Sequence, residues 1–242
     1  MSEYELGKQF EEYLNNSKQQ LFKFDNLFKE VESFQGIPDY IGVMVDDKEL
    51  CEKFVDIISK EKWSTTSKIL SCLKRKMYHT MEYLEESTGL SKQTLQKEIL
   101  ALCKKDLVIQ NARGSYKLAD KYNMPKMEIY AFELKLDNWK RALFQTIRYK
   151  TFSEYNYVVM PIDKKELLLK KIDVFRENNV GLLLFDADLC KVEVLYRARK
   201  NQCISKSHSH YMKGKILLES GNEKHVSGSI RISEYQECKS IW

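Results

Sequence analysis

No stretch of this 242-residue chain approaches the roughly 18 consecutive apolar residues that cross a bilayer. The N-terminus, MSEYELGKQFEE, has no basic segment followed by an apolar block. Neither a membrane protein nor a secreted precursor is expected, so the expected location is the cytoplasm. None of the six cysteines (Cys51, Cys72, Cys103, Cys190, Cys203 and Cys238) stands in a CxxC pair. With 43% hydrophobic residues the chain has core enough to fold unstapled, so free thiols are expected in place of a disulfide framework. His208, His210 and His225 lie near Cys203 and Cys238 in sequence, yet without the repeated spacing that a zinc site uses. Strong net charge is missing too: the balance is +5.

What charge there is lies unevenly. Between Lys60 and Lys117 stand 12 Lys/Arg against 6 Asp/Glu, leaving the rest of the chain near neutrality. A phosphate-bearing partner for this segment is one reading, and a solvated lysine-rich helical surface is the other. Apolar spacing within it gives a helix from near Ser64 (Ile69, Leu70, Leu73, Met77), a short helix over 81–87, a turn at Gly89-Leu90, and a longer helix capped by Ser91 whose apolar face carries Leu95, Ile99, Leu100 and Leu102. Two short strands, 107–109 and 115–118, then flank a tip at 111–114. Over 64–119 this order resembles the winged helix-turn-helix DNA-binding domains, matched at Leu84, Gly89, Leu90, Ser91, Leu95, Ile99, Leu102, Leu107, Val108 and the run Gly114 to Leu118. The resemblance implies that Lys92, Gln93, Gln96 and Lys97 occupy the exposed side of the recognition helix, with Arg113 and Lys117 on the wing. Winged helices also serve as protein-binding or dimerisation modules, so a homodimer stays open.

Either side of this segment the pattern is α/β. A helix over 3–17 (Leu6, Phe10, Tyr13, Leu14) precedes a strand-like region at 21–34 and a second strand with Ile41, Val43 and Val45 on one face. Pro38 opens that strand and leaves Asp39 at its mouth. The stretch MEIYAFELKL, 127–136, alternates so that Tyr130, Phe132, Leu134 and Leu136 form one apolar face while Glu133 and Lys135 share the other. By itself such a pair is equally a salt bridge on a solvated edge strand. A helix over 139–152 follows, with Arg141, Gln145, Arg148 and Tyr149 in one polar stripe. Then come a strand at 155–161, an amphipathic helix at 163–178, a strand at 180–185, and a further strand through Val192, Val194 and Tyr196. Beyond residue 200 the chain is polar, with LLES and SGSIRIS as candidate edge strands.

Pro38-Asp39 followed by Glu133-Leu134-Lys135 resembles the PD-(D/E)xK motif of the restriction-endonuclease-like nuclease superfamily. Gly7, Phe10 and Glu11 are similar to the GxxFE element of its Mrr-like members, and Gln145 with Tyr149 to the QxxxY element of RecB-like nucleases. The resemblance implies a restriction-endonuclease-like mixed sheet core flanked by helices, split into 1–59 and 122–200 by a winged-helix insertion at 60–121, with 201–242 as a C-terminal extension. It further implies an Mg²⁺- or Mn²⁺-dependent DNA endonuclease: Asp39 and Glu133 as metal ligands, Glu11 either as a third carboxylate on the metal or as a group supporting its ligands, Lys135 beside the attacking water, and Gln145 and Tyr149 steadying the lysine or the DNA backbone. Arg141 and Arg148 would contact phosphates. The competing expectation is a non-catalytic DNA-binding regulator or interaction module on the same scaffold.

Overall fold

The computed structural model describes residues 1–16, 21–58 and 62–222. Its elements run α1 (Glu3–Asn15), β1 (Asn26–Lys29), β2 (Tyr40–Val45), α2 (Lys48–Ile57), α3 (Trp63–Cys72), α4 (Met81–Thr88), α5 (Lys92–Lys104), β3 (Val108–Gln110), β4 (Tyr116–Leu118), β5 (Met127–Leu134), α6 (Trp139–Tyr149), β6 (Tyr155–Pro161), α7 (Lys165–Leu169), α8 (Ile172–Glu177), β7 (Gly181–Asp186), β8 (Lys191–Tyr196) and α9 (Lys206–Asn222). They form an α/β protein of two compact units, one drawn from 1–45 and 127–204, the other from 46–126 with α9.

The first unit is a six-stranded mixed sheet ordered β1-β2-β5-β6-β7-β8. β1, β2 and β5 are antiparallel, β5, β6 and β7 parallel, and β8 returns antiparallel. The parallel steps need crossovers, which α6 supplies between β5 and β6, and α7 and α8 between β6 and β7. Strand alternation sends Tyr40, Phe132, Leu134, Tyr157 and Val159 to one side, where Leu6, Phe10, Tyr13 and Leu14 of α1 cover them. Each such fully buried side chain contributes roughly 1.5–3 kcal/mol. Val158, Met160, Leu182 and Leu184 point the other way, under Ala142 and Leu143 of α6, Leu168 of α7 and Phe175 of α8.

In the second unit, Ser91 caps α5, Gly89 closes α4 in the left-handed conformation (φ 66°), and β3 pairs with β4 as an antiparallel hairpin whose tip Gly114 has φ 76°. His79 adds a bridge to Tyr116, widening the hairpin by one residue. α9 seats Gly214 on the Trp63 ring so closely that a Cβ there would fall 2.1 Å from it, while Trp63 Nε1 donates to Tyr211 O at 2.7 Å.

Several expectations are corrected. The strand-like region at 21–34 is a strand only at β1, because Glu30 takes a positive φ of 52° and turns the chain into a Ser33–Gly36 bridge. Helix α3 stops at Cys72, leaving Met77 50% exposed. The helix foreseen at 163–178 is a single 3-10 turn plus α7 and α8, and with that break both Leu168 and Phe175 reach complete burial. LLES, foreseen as an edge strand, lies inside α9, where Ile216, Leu217 and Leu218 are buried, so 201–222 is not a polar extension. The compact units divide at 45/46 and 126/127, and α2 belongs to the second of them, where Phe54 packs edge-on against Trp63. SGSIRIS, His225 and Cys238 lie outside the described residues.

Candidate active site

Glu133 closes β5 on the face opposite Phe132 and is 1% exposed. A carboxylate buried so deeply needs partners that offset its lost hydration. It has two: Lys135 Nζ lies 3.1 Å from Oε1, and the Tyr149 hydroxyl 2.7 Å from Oε2. Register brings Asp39 to the same place. Tyr40 stands opposite Phe132 in the antiparallel β2–β5 pair, so one step further along the pair Asp39 faces Glu133. Directly opposite residues project to the same side. Asp39 Oδ2 accepts the Leu134 N–H at 2.6 Å, a hydrogen bond that ties the residue after Pro38 to the end of β5.

Burial pushes both carboxyls above the ordinary carboxylate range. For Asp39 the Leu134 N–H and the Lys135 ammonium pull the other way. For Glu133 the Asp39 charge adds to burial, while Tyr149 and Lys135 oppose it. Burial pulls the Lys135 amine down, but Glu133, Asp39 and Glu3 outweigh it and hold the amine above its usual value. The Lys135 ammonium spends its three N–H groups on Glu133, on its neighbour's carbonyl (Leu134 O, 2.9 Å) and on Glu3 Oε2 at 3.5 Å.

Tyr149 is the post on which the site leans. It ends α6, whose first turn is capped by Asn138 accepting the Arg141 N–H at 3.0 Å. Its ring is 1% exposed and packs 3.3 Å from where a Gly36 Cβ would sit. Gly36, at φ 129°, is thus required twice over, by its backbone and by the ring. Besides Glu133, the Tyr149 hydroxyl reaches Ile37 O at 3.1 Å, so one side chain holds both the strand end and the loop that delivers Asp39.

The remaining foreseen residues divide. Gln145 lies one turn before Tyr149 on α6, and its buried Oε1 has no hydrogen-bond partner among the described residues. Arg141 and Arg148 are exposed, so the expected single polar stripe splits, with Tyr149 turned into the core. Glu11 does not meet the two carboxylates by any contact seen here: its Oε2 lies 3.2 Å from the Tyr40 hydroxyl, which also reaches Gly7 O at 2.9 Å. The α1 residue that touches the site is Glu3, two turns earlier on the same side of the helix as Gly7 and Glu11.

Compared with family models, with curated proteins and with solved structures, the chain matches none. The chemistry must be read from the residues. Two hard carboxylates side by side, both disfavoured as anions, with an unpartnered amide oxygen near by in the helix, suit a hard divalent cation that takes one or two carboxylates and keeps its waters. Among the described residues no three His, Cys, Asp or Glu gather as a metal-holding group; Asp39 and Glu133 are a pair.

In the helical unit, Lys92, Gln93, Gln96 and Lys97 all face solvent along α5. Arg113 is exposed at the hairpin tip, where Asn111 Oδ1 accepts its N–H at 3.0 Å. Lys117, on β4, holds its ammonium 5.1 Å above the Tyr78 ring.

Proposed function

We propose that this protein is a metal-dependent DNA endonuclease of the PD-(D/E)xK type, with a winged-helix unit that recognises DNA. One observation carries the reading: Asp39, at the mouth of β2, accepts the Leu134 N–H at 2.6 Å at the end of β5, where the Lys135 ammonium lies 3.1 Å from the buried Glu133. Asp39 and Glu133 would hold Mg²⁺ or Mn²⁺, which when bound supplies Lewis-acid polarisation of a phosphodiester and a lowered pKa for a coordinated water. Lys135 orients the attacking oxygen and offsets negative charge developing on the phosphoryl group. Its longest contact, to the half-exposed Glu3 at 3.5 Å, is the one that a water or phosphate oxygen replaces at least cost. Tyr149 keeps Glu133 aimed, and Gln145 offers its free oxygen to a water or to the lysine. Arg141 and Arg148 receive backbone phosphates, and α5 with Arg113 and Lys117 reads the duplex.

A second reading has its own observation. Glu133 and Lys135 satisfy each other without a metal, as they would in a non-catalytic DNA-binding regulator that keeps this sheet as scaffold. Cleavage of plasmid and branched DNA in Mg²⁺ or Mn²⁺, set beside binding in Ca²⁺, decides between them. Because Glu133 is 1% exposed, Lys135→Ala strands its carboxylate; Lys135→Gln, which keeps a donor, is therefore run alongside with a thermal melt of each. Both variants should cleave at least about 100-fold more slowly than wild type while binding DNA within about twofold. Wild type that binds but never cleaves favours the regulator; equal cleavage by all three proteins moves the site elsewhere.

A further inference from the structure

The sheet carries a second concave site, on its other face. Tyr130 and Tyr157 belong to the layer that α1 covers, whereas Glu133 and its β6 neighbour Val158 point into the opposite layer. At the start of β6, away from the Glu133 end, Phe22, Tyr130, Tyr155 and Tyr157 wall an open cleft of about 460 Å³. Tyr130 and Tyr155 are register partners on adjacent strands, and their rings stack at 4.3 Å and 10°. Phe22 closes the wall with its ring centroid 5.1 Å from that of Tyr157.

Besides Leu21, Met44 and Ala198, the rest of the lining is cationic. Lys23, Arg197, Arg199 and Lys200 line the cleft, and among the described residues no acidic one does. Lys200 is neutralised by Glu128 at 2.6 Å, and Glu128 also accepts from the Tyr130 hydroxyl at 3.4 Å. Lys23, Arg197 and Arg199 have no ion-pair partner within the described residues, and all three are exposed. The backbone that carries the two arginines is held in place. Ala198 between the two arginines is 5% exposed and part of the core. Asn179 clasps the Arg199 backbone on both sides, accepting its N–H at 2.8 Å and donating to its carbonyl at 2.9 Å, and the Asn201 N–H donates to Glu154 O at 2.8 Å. Like charges gathered on one rim raise the local positive potential, which favours an anion there. An aromatic wall facing fixed cations suits a ligand that is itself a flat ring joined to an anion. Pockets of this volume take a single small ligand, not a duplex.

We propose that this cleft binds one nucleotide unit, its base against the tyrosine wall and its phosphate against Arg197, Arg199 and Lys23. The site shares no residue with the Asp39–Glu133–Lys135 corner and stands or falls without it. The unit is supplied either by a free mononucleotide or by an unpaired nucleotide of a single strand.

Isothermal titration of the full chain in EDTA tests it, with adenosine 5′-monophosphate, inorganic phosphate, adenosine and a short oligo(dT) as probes. The monophosphate should bind at least about tenfold tighter than phosphate or adenosine, since it engages both walls. The double variant Arg197→Ala/Arg199→Ala, which changes exposed side chains only, should lose at least about tenfold in that affinity. Tyr155→Leu, checked for folding by its melt, should weaken the monophosphate but leave phosphate unchanged. Oligo(dT) binding tighter than the monophosphate, with the same arginine dependence, assigns the unit to a strand; the reverse order assigns it to a free nucleotide, and either upholds the site. No binding at millimolar monophosphate, equal affinity for phosphate and monophosphate, or monophosphate affinity unchanged in the arginine double variant overturns it.

Discussion

Glu133 in the sheet unit is 1% exposed and fastened to Lys135 and Tyr149, while Lys92, Gln93, Gln96 and Lys97 in the helical unit stand free along α5. The first arrangement costs stability, because ionised groups are taken out of water and their pKa values are driven off their usual values. The second costs little and gains little until a charged partner arrives. Chemistry on a substrate needs the first kind of environment, and recognition of a polyanion needs only the second.

The two units also differ in how they answer acid, and here the expected effect is largest. Burial, aided by the Lys206 and Lys213 charges, drives the His210 pKa down to about 3, with its ring stacked on Trp63 and Nε2 2.5 Å from the Tyr122 hydroxyl. A depressed histidine contributes stability above its unfolded value near 6.5, lost as pH falls toward 3, because the unfolded chain takes the proton first. Asp39 and Glu133 have the opposite sign. Their raised values add stability at low pH that is lost as pH rises through those values. In hydrogen exchange in EDTA, lowering the pH from 7 to 5 should cost the α3 and α9 amides about 2 kcal/mol of protection. Amides of β5 and β6 should hold or gain, and His210→Gln should flatten the response of α9. A uniform loss in both units would break the comparison.

Tyr149→Phe probes the buried side more finely. It removes one hydroxyl from a corner in which Glu133 keeps only Lys135, so stability should fall by roughly 1–3 kcal/mol in denaturant melts. Glu133 loses a donor that favours its ionised form, so the acidic limb of a cleavage pH–rate profile should move to higher pH. A limb that stays put would mean that Glu133 is not the titrating group.

How far these environments can be read from the sequence follows from the kind of signal each leaves. The two faces of β5 are legible because strand alternation has a period of two and Tyr130, Phe132 and Leu134 obey it. The pairing of Asp39 with Glu133 across an 81-residue segment (46–126) is legible only through the Pro38-Asp39 and Glu133-Leu134-Lys135 motif, because no local pattern encodes a long-range register. Glu3 leaves no signal beyond its spacing from Gly7 and Glu11, which reads as an ordinary helix face. The Ile37 carbonyl that anchors Tyr149 is a backbone atom and leaves none. α9 is hidden for a different reason. Its buried side is built from Met212, Gly214, Ile216, Leu217 and Leu218 around one tryptophan, and only the last three form a continuous apolar run, too short to mark a helix.

The smallest effect tests the exposed side. Lys92 and Lys97 stand on the solvent face of α5, the helix begun by the Ser91 cap, and neither has an ion pair among the described residues. Replacing both with Ala leaves the buried Leu95, Ile99 and Leu102 untouched, so the fold should melt within about 0.5 kcal/mol of wild type. If each ammonium neutralises one phosphate, duplex DNA binding should weaken by roughly tenfold at moderate salt, and the slope of log K against log salt should become shallower by about two units. The weakening should be nearly the same for every sequence tried, whereas Gln93→Ala or Gln96→Ala should alter the preference among sequences with the slope unchanged. An unchanged slope in the double-lysine variant would turn the helical unit from a DNA reader into a protein-binding or dimerisation module, because a face that releases no counterions touches no phosphate.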